Sequence, residues 1–193
     1  MKKIGLFFGS FNPVHIGHIE LAKAFLKQAN FEELWIVLTP QNPHKKADEL
    51  APDQHRLQML KEAFSNQSKN IKISEVEFLL SAPYYTANTL DYLVKQYPKC
   101  TFSILMGCDS FETLPNWNRY QRILDFPIFV YPRAPHNCLE TSPNYASVTV
   151  MDFSIIEVSS TDIRKRIMKG AECSKLLPKS VENYIKTHDL YQV

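Results

Sequence analysis

Six short apolar runs bounded by turn residues constrain this chain most: Ile4 to Phe8, Leu34 to Leu38, Ile71 to Val76, Phe102 to Met106, Ile128 to Tyr131 and Val148 to Met151. Runs of that length read as strands, most of them buried on both faces. Between the early runs the spacing becomes helical. Ile19, Ala22, Phe25, Leu26 and Ala29 form one apolar stripe, and His55 to Phe64 and Thr86 to Gln96 give shorter amphipathic stretches. Alternating strands and helices predict an α/β class with a doubly wound, mainly parallel sheet and right-handed crossovers. Ser160 to Lys169 and Pro178 to His188 are also helical, with no convincing strand after them. The expected organisation is a single domain, 1–193, ending in a small helical cap over about 160–193. A chain of 193 residues buries most of its apolar surface without a disulfide or metal staple.

Composition excludes several classes. Hydrophobic content of 45% and charged content of 22% are ordinary for a soluble globular protein. After Met1-Lys2-Lys3 only about five apolar residues precede Gly9 and Ser10, too few for a signal-peptide core or a membrane span, so a cytoplasmic protein is expected. Cys100, Cys108, Cys138 and Cys173 lie far apart and form no C-x-x-C pair, which predicts buried or half-buried thiols rather than a zinc site or a redox dithiol. A net charge of +2 argues against nucleic acid as a partner. From Thr161 to Lys186, however, seven Lys or Arg face three acidic residues, and such a basic end suits a compact anion such as a triphosphate. Thr39 to Pro52 and Pro132 to Pro143 read as proline-rich working loops.

The first strand runs into Gly9-Ser10-Phe11-Asn12-Pro13-Val14-His15-Ile16-Gly17-His18, with a helix expected from about Ile16. Ligands of open α/β sheets sit beyond the carboxyl ends of the strands, so this turn lies at the expected site. It has neither G-x-G-x-x-G nor the P-loop pattern. Gly9 would allow close backbone approach to a ligand, Gly17 would pack the helix on the strand, and the helix N-terminus would offer N–H groups to an anion. His15 and His18, three apart, share a helix face and can donate to phosphate oxygens together. With no third Cys, His or carboxylate at ligand spacing, zinc is not expected.

The segment from Gly9 to His18 resembles the phosphate-binding signature of the nucleotidylyltransferase superfamily, a His-x-Gly-His on the first helix. Class I aminoacyl-tRNA synthetases share that tetrapeptide, but this chain is too short for tRNA-binding domains and lacks Lys-Met-Ser-Lys-Ser. Ser159-Ser160-Thr161-Asp162-Ile163-Arg164 resembles the second adenylyltransferase signature; hydroxyl caps, a helix start and a fixed cation make a second anion cradle. Thr39-Pro40-Gln41-Asn42-Pro43-His44-Lys45, Tyr84-Tyr85-Thr86-Ala87-Asn88-Thr89-Leu90, and Gly107-Cys108-Asp109-Ser110-Phe111 with the trailing Trp117 are similar to stretches of the nicotinate-nucleotide adenylyltransferases. Asn88, Cys108 and Tyr84 depart from that family's usual Asp, Ala and Ser, and Arg133 is followed by Ala-Pro rather than Pro-Gly.

The resemblance implies a Rossmann-like nucleotidylyltransferase fold and transfer of the adenylyl group of ATP to nicotinate mononucleotide, releasing pyrophosphate in NAD biosynthesis. It implies His18 on the α-phosphate, His15 and Arg164 on the β- and γ-phosphates, and Ser160 and Thr161 bonding the triphosphate. Gly9, Ser10, Phe11 and Gly17 would contact ATP, with Asp109 on ribose or the metal shell. On the mononucleotide side it implies His44 and Lys45 near phosphate, Tyr85, Thr86 and Trp117 around the nicotinate ring, and Arg133 as a further contact; backbone N–H groups near Tyr85 and Thr86 are expected to receive the nicotinate carboxylate. Mg2+ would arrive on the ATP phosphates, with no protein ligand. No membrane partner is expected, and a homo-oligomer is compatible with the sequence. Nicotinamide mononucleotide, phosphopantetheine, CTP chemistry on a polyol phosphate, and a catalytically silent nucleotide sensor are the alternatives.

Overall fold

A computed structural model of the chain describes residues 1–41, 50–132, 147–153 and 158–192. Six strands, β1 (Lys2–Gly9), β2 (Glu33–Leu38), β3 (Ile71–Ser74), β4 (Cys100–Gly107), β5 (Ile128–Tyr131) and β6 (Val148–Val150), form one sheet in the order β3-β2-β1-β4-β5-β6. Every adjacent pair is parallel. The strand order reverses between β1 and β4, whose carboxyl ends are Gly9 and Gly107. That is the switch point at which such sheets bind ligands.

Helix α1 (Ile16–Gln28) buries the predicted stripe through Ile19, Ala22 and Phe25. It shares a core with α2 (Asp53–Phe64) and with the two C-terminal helices, α6 (Ser160–Met168) and α7 (Lys179–Thr187). The opposite face is covered by α3 (Thr86–Gln96), α4 (Cys108–Thr113) and α5 (Tyr120–Leu124). Period-two alternation along β1 divides the layers, with Ile4 and Leu6 facing the α3 side and Phe7 the α1 side.

The predicted strand at Ile71 to Val76 stops at Ser74, and a 3-10 turn, Val76–Leu79, follows. Helices α4 and α5 have six and five residues, too short for a periodic signal, so the sequence did not disclose them. Cys100 and Cys173 are free thiols, whereas Cys108 is disulfide-bonded, contrary to expectation. Spacing reports only local pairs, and Cys138 lies outside the described residues. Among the described residues no helix is long and apolar enough to cross a membrane.

Candidate active site

The β1–α1 turn is built around two residues that the motif hides. Phe11 has a left-handed backbone, φ 44°, which a bulky residue seldom adopts. Its buried ring packs edge-on against Phe7 at 5.5 Å and His18 at 5.0 Å. A side chain at Gly9 would strike that ring at 2.8 Å, so this glycine makes room for Phe11. Asn12, 2% exposed, is the second organiser. Its Oδ1 accepts from the Ala51 N–H at 3.0 Å and from the Tyr191 hydroxyl at 2.8 Å, and its carbonyl accepts from Arg164 at 3.0 Å. Burial raises the Tyr191 pKa and keeps that hydroxyl a donor.

His15 caps α1, and its backbone N–H donates to His18 Nδ1 at 3.2 Å. An accepting Nδ1 places the proton of the neutral ring on Nε2, so His18 is set as an Nε2–H donor. The two rings stack 3.7 Å apart. His18 lines the central cavity; His15 and Gly17 are buried beside it without contributing to its wall. The expected supply of helix amides is reduced, because the Ile16 N–H donates to the Leu176 carbonyl at 3.1 Å.

The second cradle is tied directly to the first. Ser159 Oγ caps α6 by accepting from the Asp162 N–H at 3.1 Å. Ser160 Oγ donates to the Pro13 carbonyl at 2.9 Å, one residue from the Arg164 contact on Asn12. These two bonds bring segments about 150 positions apart in sequence onto one cavity wall. The cavity, about 440 Å3, is lined by Gly9, Ser10, Phe11 and His18 from the first turn and by Ser160, Thr161 and Arg164 from α6. Asp109 lines it from the start of α4, where Gly107 leaves space for its carboxylate, since a side chain there would meet Oδ1 at 2.5 Å.

Tyr85, Thr86 and Trp117 line the remaining wall. His44, Lys45 and Arg133 lie outside the described residues. Asn12, Arg56 and Tyr191 were not singled out from sequence. Arg56 had left a signal: it stands among Met59, Leu60 and Ala63 on the buried stripe of α2, where a charge is otherwise unexpected. Among the described residues, no group of three or more His, Cys, Asp or Glu could hold a metal ion.

Residues 6–166 match the cytidylyltransferase-like family model. A protein of Flavobacterium johnsoniae, named a probable nicotinate-nucleotide adenylyltransferase, is 42% identical over 98% of this chain and 99% of its own length. One of Bacillus pumilus with the same name is 36% identical over the whole of both chains. The chain belongs to the cytidylyltransferase-like family and to the nicotinate-nucleotide adenylyltransferases. The fold agrees: the Plasmodium falciparum nicotinic acid mononucleotide adenylyltransferase complexed with NaAD superposes with a TM-score of 0.82, covering 99% of this chain and 98% of that one at 20% identity. This nicotinate-nucleotide adenylyltransferase family member is thus a nucleotidyltransferase with a Rossmann-like fold, its two signatures meeting at the switch point of the sheet.

Proposed function

We propose that this enzyme transfers the adenylyl group of ATP to nicotinate mononucleotide, giving nicotinate adenine dinucleotide and pyrophosphate. A phosphate oxygen of the mononucleotide attacks the α-phosphorus in line, a P–O bond forms, and the bond to the β-phosphate oxygen breaks as pyrophosphate leaves. Such chemistry depends on positioning and charge stabilisation. The observation that carries the reading is the meeting of His18 with Ser160, Thr161 and Arg164 around one cavity. His18 donates from Nε2 to the α-phosphate as negative charge grows. Arg164 and the first turn of α6 hold the outer phosphates, with the His15 backbone N–H fixing the His18 ring from beside the cavity. The backbone of Gly9, Ser10 and Phe11 forms the floor beneath ATP, above the buried Gly17.

Asp109, the carboxylate on the described cavity wall, meets ribose or the water shell of Mg2+. Magnesium would come with the ATP phosphates and would supply charge neutralisation for the pyrophosphate leaving group, with Asp109 beside it. Thr86 and Trp117 hold the nicotinate ring, with His44, Lys45 and Arg133 supplying positive charge near the acceptor. The Tyr85 N–H already donates to the Pro83 carbonyl at 2.9 Å and the Asn88 N–H to the Tyr85 carbonyl at 2.9 Å, so the Thr86 and Ala87 amides at the start of α3 receive the nicotinate carboxylate. Soluble substrates suit a cytoplasmic enzyme.

Pyrophosphate release from ATP and Mg2+ tests this reading, with nicotinate mononucleotide, nicotinamide mononucleotide, phosphopantetheine and, with CTP, a polyol phosphate offered separately. Release strongly favouring nicotinate mononucleotide is expected. Equal use of the acid and the amide would overturn the acceptor, and no release with any acceptor would leave a silent nucleotide sensor.

A further inference from the structure

The acceptor side of the cavity has two walls from different parts of the chain. One is the N-terminal turn of α3, with Tyr85 and Thr86; the other is the turn ahead of α5, with Trp117 and Asn118. Trp117 is held locally by its N–H to the Leu114 carbonyl at 2.9 Å, while its carbonyl accepts from the Tyr120 N–H at 3.2 Å. Neither bond fixes the distance from this turn to α3.

That distance is spanned outside the cavity by Arg119. Its Nη1 donates to Asn88 Oδ1 at 3.2 Å and its Nη2 to Asp91 Oδ2 at 2.9 Å, both on α3. Asn88 and Asp91, three apart, share one face of that helix. Arg122 adds a 2.7 Å bond from Nε to the other Asp91 oxygen and one from Nη1 to Asp125 at 3.0 Å. Burial pushes the Asp91 carboxyl up, but the bonds from Arg122 and Arg119 more than offset it and hold the group below its ordinary range. The Arg119 backbone is left-handed, φ 54° and ψ 40°, and the turn that carries Trp117 ends on that residue. Its side-chain bonds therefore hold an otherwise sparsely populated conformation.

We propose that Arg119 is a positioning residue for the acceptor pocket, tying the Trp117 turn to α3 and so setting the gap between the two walls, with Asn88 as its tunable partner. Asn88 occupies a position where the family's stretch carries Asp, and its side chain meets Arg119 outside the cavity lining. The departure thus changes the strength of the tie, replacing a charged acceptor by a neutral one. This inference rests on the assignment of the Trp117 wall to the acceptor.

Both residues are exposed, so their variants are expected to fold. The sequence has two tryptophans, and Trp35→Phe leaves Trp117 as the sole reporter. In that background, Arg119→Ala is expected to increase acrylamide quenching of Trp117 in the free enzyme. It should also raise the acceptor KM about three- to fivefold, the scale of an exposed ion pair, with kcat at saturation and the ATP KM little changed. Asn88→Asp is expected to lower the acceptor KM, and that gain should vanish in the Arg119→Ala background, a coupling that two independent effects would not show. Unchanged quenching, a rise confined to the ATP KM, or the same Asn88→Asp gain with and without Arg119 would each overturn the proposal. Quenching is read without substrate, so an enzyme inactive on nicotinate mononucleotide would refute the functional reading without deciding this one.

Discussion

Arg56 donates from Nη1 to the Ser10 carbonyl at 2.8 Å while its side chain is wholly buried. The same nitrogen reaches the Thr39 carbonyl at 2.8 Å, Nε reaches Ala51 O at 2.9 Å, and Nη2 serves the Pro40 carbonyl and the Asp53 carboxylate. Every guanidinium N–H is therefore used, and one side chain holds the β1–α1 turn against the end of β2 and the start of α2. Burial lowers the Arg56 pKa, and Asp53 offsets only part of this.

Removing a hydrogen-bonded buried charge leaves several carbonyls without donors, at a cost of about 3 to 5 kcal/mol. Arg56→Met is therefore expected to lower the urea midpoint strongly. Arg56→Lys, which keeps the charge but loses the planar fork, should recover only part of the loss. A methionine variant as stable as the wild type would show that these loops are held by other contacts.

His18→Ala should reduce kcat far more than it weakens ATP binding, because a donor aimed at developing charge is worth about 3 to 4 kcal/mol, a hundred- to a thousandfold in rate. Steady-state kinetics with saturating acceptor would check this. Turnover above half of the wild-type value would remove His18 from the α-phosphate.

Arg164→Ala should act on ATP. Charge-assisted bonds to the outer phosphates are worth about 1.5 to 3 kcal/mol, so the ATP KM should rise by roughly ten- to a hundredfold while the acceptor KM stays nearly constant. Since Arg164 also bonds the Asn12 carbonyl, a thermal melt must accompany the kinetics. A rise in the acceptor KM alone would reverse the assignment of the two cradles.

Glu77 and Glu33 should give stability opposite dependences on pH. Burial raises the Glu77 carboxyl to about 7, against hydrogen bonds from Thr89 and Thr39 that lower it. A folded-state pKa above the unfolded value of 4.5 means that the favourable contribution is complete below 4.5 and lost as pH rises to about 7. For Glu33, burial acts upward, but bonds from Lys2, Lys72 and Trp35 bring the carboxyl to about 2, so its contribution is lost as pH falls from 4.5 towards 2. Glu77→Gln should therefore compare more favourably with the wild type at pH 8 than at pH 4.5, by roughly 3 kcal/mol in denaturant unfolding. The same difference at both pH values would exclude this ionisation.

The sequence by itself determined the alternating strands and helices, the start of α1 at Ile16, and the two family signatures at Gly9 to His18 and Ser159 to Arg164. Each is a local pattern: apolar period, turn chemistry, or a compact motif whose residues are neighbours. Tertiary structure decided how those pieces meet. The distance between His18 and Arg164 along the chain gives no hint that Ser160 and Arg164 bond the carbonyls of Pro13 and Asn12. Gly9 was legible as a special position, but its partner, the ring of Phe11, emerged only from the fold. Asn88 read only as a departure from the family's usual Asp, and its contact with Arg119 emerged from the fold, while the buried Arg56 had shown only as a charge on an apolar stripe. Hydrogen bonds between distant segments leave no periodic trace in sequence, because their geometry exists only once the sheet has set the register of β1, β2 and β4.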